Sequence, residues 1–171
     1  MQDRKLSEHF LLSEFLASDV AKANKILNEP TSAHLRALEH TAQYLCEPMR
    51  KLFNAKYGKC SIIITSGYRS KALNDKLKGA SNSQHLKGEA IDFKVKKGSK
   101  YLPYTQVYED IKAWVKEGKL SVDQCICECI CEKSGNTVWV HCSHSSWGKT
   151  RDRRQFLKYN NGKYTLDVDF K

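Results

Sequence analysis

The segment 83–92, SQHLKGEAID, constrains the fold of this chain more than any other stretch. His85 lies before Gly88, a residue that permits a tight turn. The run Ala90–Phe93 after the turn has the apolar character of a short strand and contains Asp92. An imidazole that enters the turn and a carboxylate that leaves it can face the same point. The segment therefore predicts a loop that enters a strand, with two metal-ligand side chains at the junction.

A second strand-like segment, Val138–His141, supplies another imidazole. His85, Asp92 and His141 would give a metal three protein ligands, whereas zinc in a structural site normally has four. The set therefore predicts a catalytic zinc site with one position left for water. Taken singly, His85 could be an ordinary loop histidine, and Asp92 a capping or salt-bridging acid.

The chain has 171 residues, which predicts one domain over 1–171 with a substantial core. Its 40% hydrophobic and 28% charged residues are typical of a globular protein. No apolar run approaches the roughly 18–20 residues that cross a bilayer, so we expect no membrane span. The polar start after Met1 does not resemble a secretory signal peptide, which predicts a protein that is cytoplasmic until its release.

Helical patterns fill the first third of the chain, and strand patterns dominate the rest. Ser18 and Thr31 are predicted helix caps, and Pro48 should kink or divide the long helix that Thr31 opens. The apolar, β-branched run Ser61–Thr65 predicts a buried strand. Helices first and an antiparallel sheet later favour an α+β fold. The remaining predicted elements are a helix that begins at Pro103, a hairpin of 125–131 with 138–142 that turns at 134–136, and a C-terminal hairpin of 156–159 with 164–168.

Four of the seven cysteines alternate along one predicted strand, at positions 125, 127, 129 and 131. Alternate side chains of a strand share a face, so the thiols should line one side of the sheet. Cysteines two apart on one strand are poorly placed for a disulfide. We expect free thiols that pack as small apolar groups in a reducing compartment, with a thiolate metal cluster as the alternative.

The formal net charge of +10 indicates an anionic partner. Lys and Arg are scattered and are not interleaved with aromatic residues, so nucleic acid is not specifically indicated. A bacterial cell wall carries carboxylates and phosphates and would serve the same charge.

Three motifs occur in an order that resembles a known family. They are ITSGYRS at 64–70, the pattern SxHxxGxAxD at 83–92, and WVH at 139–141, preceded by LSEHF at 6–10. Together they resemble the zinc D,D-peptidases, most closely the subgroup like the C-terminal domain of zinc D-alanyl-D-alanine carboxypeptidases that is common in phage endolysins. The resemblance covers about residues 6–146 and leaves 147–171 as a C-terminal hairpin extension.

The resemblance implies a Hedgehog/D,D-peptidase-like fold, N-terminal helices on a small antiparallel sheet, and one zinc ion held by His85, Asp92 and His141. It implies peptidoglycan stem peptides as substrates. Arg69 matches an arginine that stabilises the carbonyl oxygen as it becomes anionic, although it could instead bind a substrate carboxylate. Ser83 matches a substrate-binding position, with a turn-forming role as the alternative, and Gln84 is a weaker substrate-binding candidate.

The general base is the point at which the chain departs from that family. Relatives carry Glu or Asp three residues before the last histidine, or His two residues before it, whereas Val138 and Trp139 stand here. Glu128 on the partner strand is the best substitute, unless it is an ordinary exposed strand residue. His144 is expected to lie in a turn or behind the metal ligands.

Two functions follow from these observations. The first is a monomeric, zinc-dependent peptidoglycan peptidase, either a carboxypeptidase or an endopeptidase, that acts on the bacterial cell wall and fits a phage-encoded endolysin. The second is a module of the same fold that binds the wall or builds a virion but has lost turnover, which the missing base motivates.

Overall fold

Helices pack on one mainly antiparallel sheet, which is the α+β arrangement predicted. The computed structural model describes residues 3–132, 135–146 and 152–170. No described helix is long and apolar enough to cross a membrane. The helices are α1 (Leu12–Leu16), α2 (Asp19–Ala23), α3 (Ser32–Thr41), α4 (Glu47–Tyr57), α5 (Lys71–Lys76) and α6 (Tyr104–Lys116). The strands are β1 (Cys60–Ser66), β2 (Ala90–Lys97), β3 (Lys100–Tyr101), β4 (Gln124–Glu132), β5 (Gly135–Ser143), β6 (Gln155–Asn160) and β7 (Lys163–Asp169).

The predicted helix starts and the interruption near Pro48 are confirmed. The Ser18 and Thr31 side chains accept hydrogen bonds from the backbone of the first turns of α2 and α3. Between α3 and α4 the chain forms a π-helical turn over Ala42–Cys46, and Pro48 lies in the first turn of α4. Pro48 lacks an N–H and its ring crowds the preceding turn. The wider π-helical turn makes room for this ring and separates α3 from α4.

The main sheet has the order β1-β2-β5-β4-β6-β7, with β3 paired to β2. The prediction of a buried strand at 61–65 is wrong in one respect, because β1 is an edge strand. Ile62 is buried there, while Ser61 and Thr65 are exposed. A β-bulge between Ile64 and Ser66 then redirects the end of β1 toward Asp92.

The C-terminal hairpin is more than an appendage. β6 pairs in parallel with β4 and antiparallel with β7, so the hairpin lengthens the sheet by two strands. Phe156 of β6 is fully buried and makes an edge-to-face ring contact with Tyr108 of α6. The hairpin therefore shares the core that α6 covers.

The core lies between the helices and one face of the sheet, and the cysteines lie on that face. Cys125, Cys127 and Cys129 are each less than a tenth exposed, as the alternation predicts. Cys125 and Cys142 face each other across β4 and β5 with sulfurs 3.4 Å apart. The expectation that all these thiols are free is wrong for Cys129, which is disulfide-bonded. The side chain of Cys131 and the predicted turn at Ser134 lie outside the described residues.

Candidate metal centre

Three side chains bring one donor atom each to a common point. Nε2 of His85 lies 3.2 Å from Nδ1 of His141 and 3.3 Å from Oδ1 of Asp92. Nδ1 of His141 lies 2.9 Å from the same carboxylate oxygen. All three residues are buried. The structure thus brings together the three side chains that the sequence indicated as metal ligands.

The sheet register and one turn place these donors. Asp92 of β2 and His141 of β5 are direct partners across adjacent strands, so their side chains share a face. His85 lies on a short 3-10 helix, Gln84–Lys87, which ends at Gly88 with a φ of +76°. A Cβ at Gly88 would also lie 3.0 Å from the carbonyl oxygen of His34. Glycine therefore allows both the left-handed turn and the close packing against α3.

The protonation of His85 is fixed by a backbone carbonyl. Its Nδ1 lies 2.6 Å from the oxygen of Gly67, a distance at which the ring N–H donates to the carbonyl. Nε2 is then left with a lone pair directed at the other two donors. Burial lowers the pKa of His85 although Asp92 opposes the shift, which favours the neutral ring that metals bind.

The donor set fits zinc. Tetrahedral zinc with ligand bonds of about 2.0–2.1 Å separates neighbouring donors by about 3.3 Å. The separations of 3.2, 3.3 and 2.9 Å come close to one face of such a tetrahedron. Burial alone would raise the pKa of Asp92, but His85 and the hydrogen bond from His141 hold it well below its usual range. The ring nitrogens of His85 and His141 and the ionised carboxylate of Asp92 would therefore hold a zinc ion.

Arg69 lies behind the carboxylate ligand. Its Nη2 donates to Oδ2 of Asp92 at 2.5 Å, and its Nε donates to Oγ of Ser66 at 2.9 Å. Such contacts orient a metal ligand and keep its charge. Nη1 of Arg69 has no hydrogen bond to the part of the chain described here, and the side chain lines the cleft beside the three donors.

Glu128 lies in the same cleft, on the neighbouring strand β4. It is 8% exposed and is the direct partner of Trp139, two residues before His141. Burial, and after it the charge of Asp92, raises the pKa of Glu128 to about 7, against the opposing charges of His141 and Arg69. The indole N–H of Trp139 lies close enough to the Glu128 carboxyl group to oppose this rise in its pKa. A carboxyl group that changes charge near neutral pH is suited to transfer protons.

An open cleft of about 860 Å³ contains all of these groups. Ser83 and Gln84 form part of its wall, on the turn that carries His85. Gln84 also reaches the carboxylate of Asp123. The side chains that the sequence indicated as substrate-binding thus face the same space as the metal ligands and Glu128.

Two side chains that line the cleft were not predicted from the sequence. Tyr164 of β7 lines it. So does Arg153, whose Nε and Nη2 both donate to the Asp123 carboxylate at 2.7–3.1 Å. His144, which the sequence placed in a turn or behind the metal ligands, follows the end of β5; it is fully buried and bonds Asp152 through Nδ1 at 2.7 Å. Residues 152–164 reach the site only because β6 pairs with β4, and no local pattern in the sequence indicates that pairing.

Residues 8–110, more than half of the chain, match the family described as Peptidase M15. The match includes His85 and Asp92 and ends before His141. No curated protein matches the chain. The chain belongs to the Peptidase M15 family of zinc-dependent metallopeptidases.

Proposed function

We propose that this protein is a peptidoglycan peptidase that hydrolyses an amide bond in the stem peptide or its cross-link. The observation that carries the proposal is the convergence of His85, Asp92 and His141 in one cleft with the buried carboxyl group of Glu128. A ligand set for zinc beside a proton acceptor is the arrangement that metal-assisted amide hydrolysis uses.

The chain's own residues divide the chemistry. Zinc held by the three ligands would act as a Lewis acid and make a water molecule more acidic. Glu128 would accept the proton of the water that attacks the amide carbon and then pass it to the departing amine. Nη1 of Arg69 would donate to the carbonyl oxygen as negative charge develops there.

The substrate class is supported by the family and by charge. The Peptidase M15 family suggests peptidoglycan-type substrates. The formal net charge of +10 suits a wall polymer that carries carboxylates and phosphates. Ser83 and Gln84 would contact the peptide near the scissile bond.

A second candidate is a wall-binding module without turnover. Val138 and Trp139 occupy the positions at which relatives carry the general base, and neither side chain can accept a proton from water. The position of Glu128 argues against this candidate, because it provides a titratable carboxyl group in the cleft from another strand.

The test is incubation of the purified protein with muropeptides, with and without a chelator, followed by mass spectrometry of the products. We expect a new product that disappears with chelator and returns when zinc is added. Glu128→Gln should abolish the product while the zinc content per chain stays unchanged. Glu117→Gln, at the exposed residue that caps the C-terminus of α6 and does not line the cleft, is the matched control and should keep full activity.

If no stem peptide yields a chelator-sensitive product, the peptidase proposal is wrong and the second candidate, a wall-binding module without turnover, takes its place. Full activity in Glu128→Gln would remove Glu128 from the mechanism and leave the peptidase proposal in place.

A further inference from the structure

Apolar and aromatic side chains continue from the metal ligands to the outer edge of the sheet. The row of paired residues that contains Asp92 and His141 continues through the apolar members of β4, β6 and β7, and the next row contains Trp139, Glu128 and two tyrosines. Paired residues share a face, so these side chains lie on the side of the sheet that carries the ligands. We call Ile126, Leu157, Tyr159, Tyr164 and Leu166 the apolar strip.

The outer part of the apolar strip is exposed. Tyr164 is 56% and Leu166 is 62% exposed, the highest values among the large apolar side chains of the sheet's described part. The rings of Tyr159 and Tyr164 lie 4.6 Å apart and support each other. A contiguous exposed apolar surface beside a cleft is typical of a ligand-binding groove.

The apolar strip is continuous with the reaction site. Ile126 and Tyr164 both line the cleft that contains Glu128 and His141. Tyr164 lies near enough to Glu128 and Asp92 for their charges to act on its phenol group. A molecule bound at the metal ligands would therefore meet the strip if it extended across β4 toward β7.

The length of the strip fits a peptide. Neighbouring strands are about 4.8 Å apart, so β4 to β7 spans two steps, or about 10 Å. An extended peptide advances about 3.3 Å per residue, so the strip has room for about three residues. Its aliphatic side chains and tyrosine rings suit the methyl and methylene groups of such a peptide, and the tyrosine hydroxyls could bond its amides.

We infer that the apolar strip binds about three residues of the substrate peptide on one side of the scissile bond, with Tyr164 and Leu166 as residues that determine specificity. The inference rests on the proposed function and deepens it. An enzyme built this way favours a long or cross-linked stem peptide over a short peptide end, and its natural cleavage is internal.

The test compares a cross-linked stem-peptide dimer with a capped tripeptide as substrates. In Tyr164→Ala we expect KM for the dimer to rise about tenfold with kcat nearly unchanged, and the tripeptide parameters to stay the same. Leu166→Ser should also raise KM for the dimer, but by a smaller factor. Tyr101→Ala is the matched control, because Tyr101 is 54% exposed but lies on β3, away from the cleft.

Binding of the uncleaved dimer to Glu128→Gln protein, measured by calorimetry, separates this inference from the proposed function. A Kd that rises about tenfold when Tyr164→Ala is added supports the strip even if no peptide is turned over. Turnover of the dimer with no effect of Tyr164→Ala on KM or Kd would overturn the inference and leave the peptidase intact. A concentration-dependent dimer of the protein that Leu166→Ser abolishes, with peptide Kd unchanged, would assign the strip to self-association and likewise overturn it.

Discussion

Glu128 combines two properties that a proton acceptor needs. It is buried in the cleft, and its carboxyl group ionises at about pH 7 because burial and Asp92 disfavour the charge. An ionised group in such a place costs the folded state free energy. The residue therefore weakens the protein at the point where it would serve the reaction, as is common for active sites.

Glu128→Gln should stabilise the metal-free protein above neutral pH. The folded state holds the proton of Glu128 more tightly than the unfolded state, since the pKa rises from 4.5 to about 7. The free energy of unfolding of wild type should thus fall by about 2–3 kcal/mol relative to that of the variant as pH rises from about 4.5 to about 8. Urea unfolding of both proteins with chelator present measures this. Equal loss of stability in the two proteins would contradict the burial of an ionisable Glu128.

The rate should depend on the ionisation of the same residue. Only the carboxylate form can accept a proton, so kcat/KM should rise with pH and level off at or slightly below pH 7. The midpoint of the acidic limb of the pH–rate profile is expected slightly below pH 7, because a cation at the nearby ligands favours the charged form of Glu128. The pH–rate profiles of wild type and Glu128→Asp check this, because the midpoint of the acidic limb should shift in the variant. A profile that is flat from about pH 5.5 to about pH 8 would exclude Glu128 as the base.

At the scale of elements, the loop after β1 joins α1 to the metal site. The carbonyl oxygen of Gly67 accepts the ring N–H of His85, and a Cβ at Gly67 would lie 2.5 Å from the backbone oxygen of Phe15. The end of α1 thus packs directly on the segment that orients a metal ligand.

Gly67→Ala should therefore weaken zinc binding as well as folding. The methyl group must push the loop away from α1, at a cost of about 1–3 kcal/mol, and the carbonyl moves away from His85. Loss of a contact that orients a ligand typically reduces metal affinity about 10–100-fold. Competition with a fluorescent chelator measures the affinity. Gly98→Ala, which has a φ of +58° but open space around it, should lower stability and leave zinc affinity unchanged. Equal zinc affinity in the two variants would contradict the role of Gly67.

Local elements were predictable from the sequence, and long-range pairing was not. The alternation along β4 predicted that its thiols share one face, and Gly88 indicated the turn between His85 and Asp92, because both are local patterns. The edge position of β1 and the parallel pairing of β4 with β6 depend on contacts between distant segments. Tyr164 and Arg153 reach the cleft only through that pairing, so they could not be identified as site residues beforehand.

At the scale of the whole molecule, the C-terminal hairpin and the zinc-peptidase core share one sheet and one set of covering helices. Lys112 of α6 forms an ion pair with Asp167 of β7, and the Tyr108 hydroxyl of α6 donates to the same carboxylate at 3.0 Å. We propose from these contacts that residues 1–171 fold as one domain, with the hairpin as an integral part.

The chain should then unfold in one cooperative transition. Far-ultraviolet circular dichroism and tryptophan fluorescence should give coincident curves in urea, because the hairpin cannot separate without exposing Phe156 and the edge of β4. In a hydrogen-exchange experiment, the amides of β6 should be protected to the same degree as those of β4. Two separate transitions, with β6 exchanging well before β4, would mean that the hairpin is an independent unit.

The most direct test of the central claim is a crystal structure of the zinc-loaded protein with data collected at the zinc absorption edge. We predict one anomalous peak per chain, about 2.0–2.1 Å from Nε2 of His85, Oδ1 of Asp92 and Nδ1 of His141. The peak should be absent in crystals of His85→Ala. A peak at any other group of side chains, or no peak at these three donors, would contradict the assignment of a catalytic zinc site.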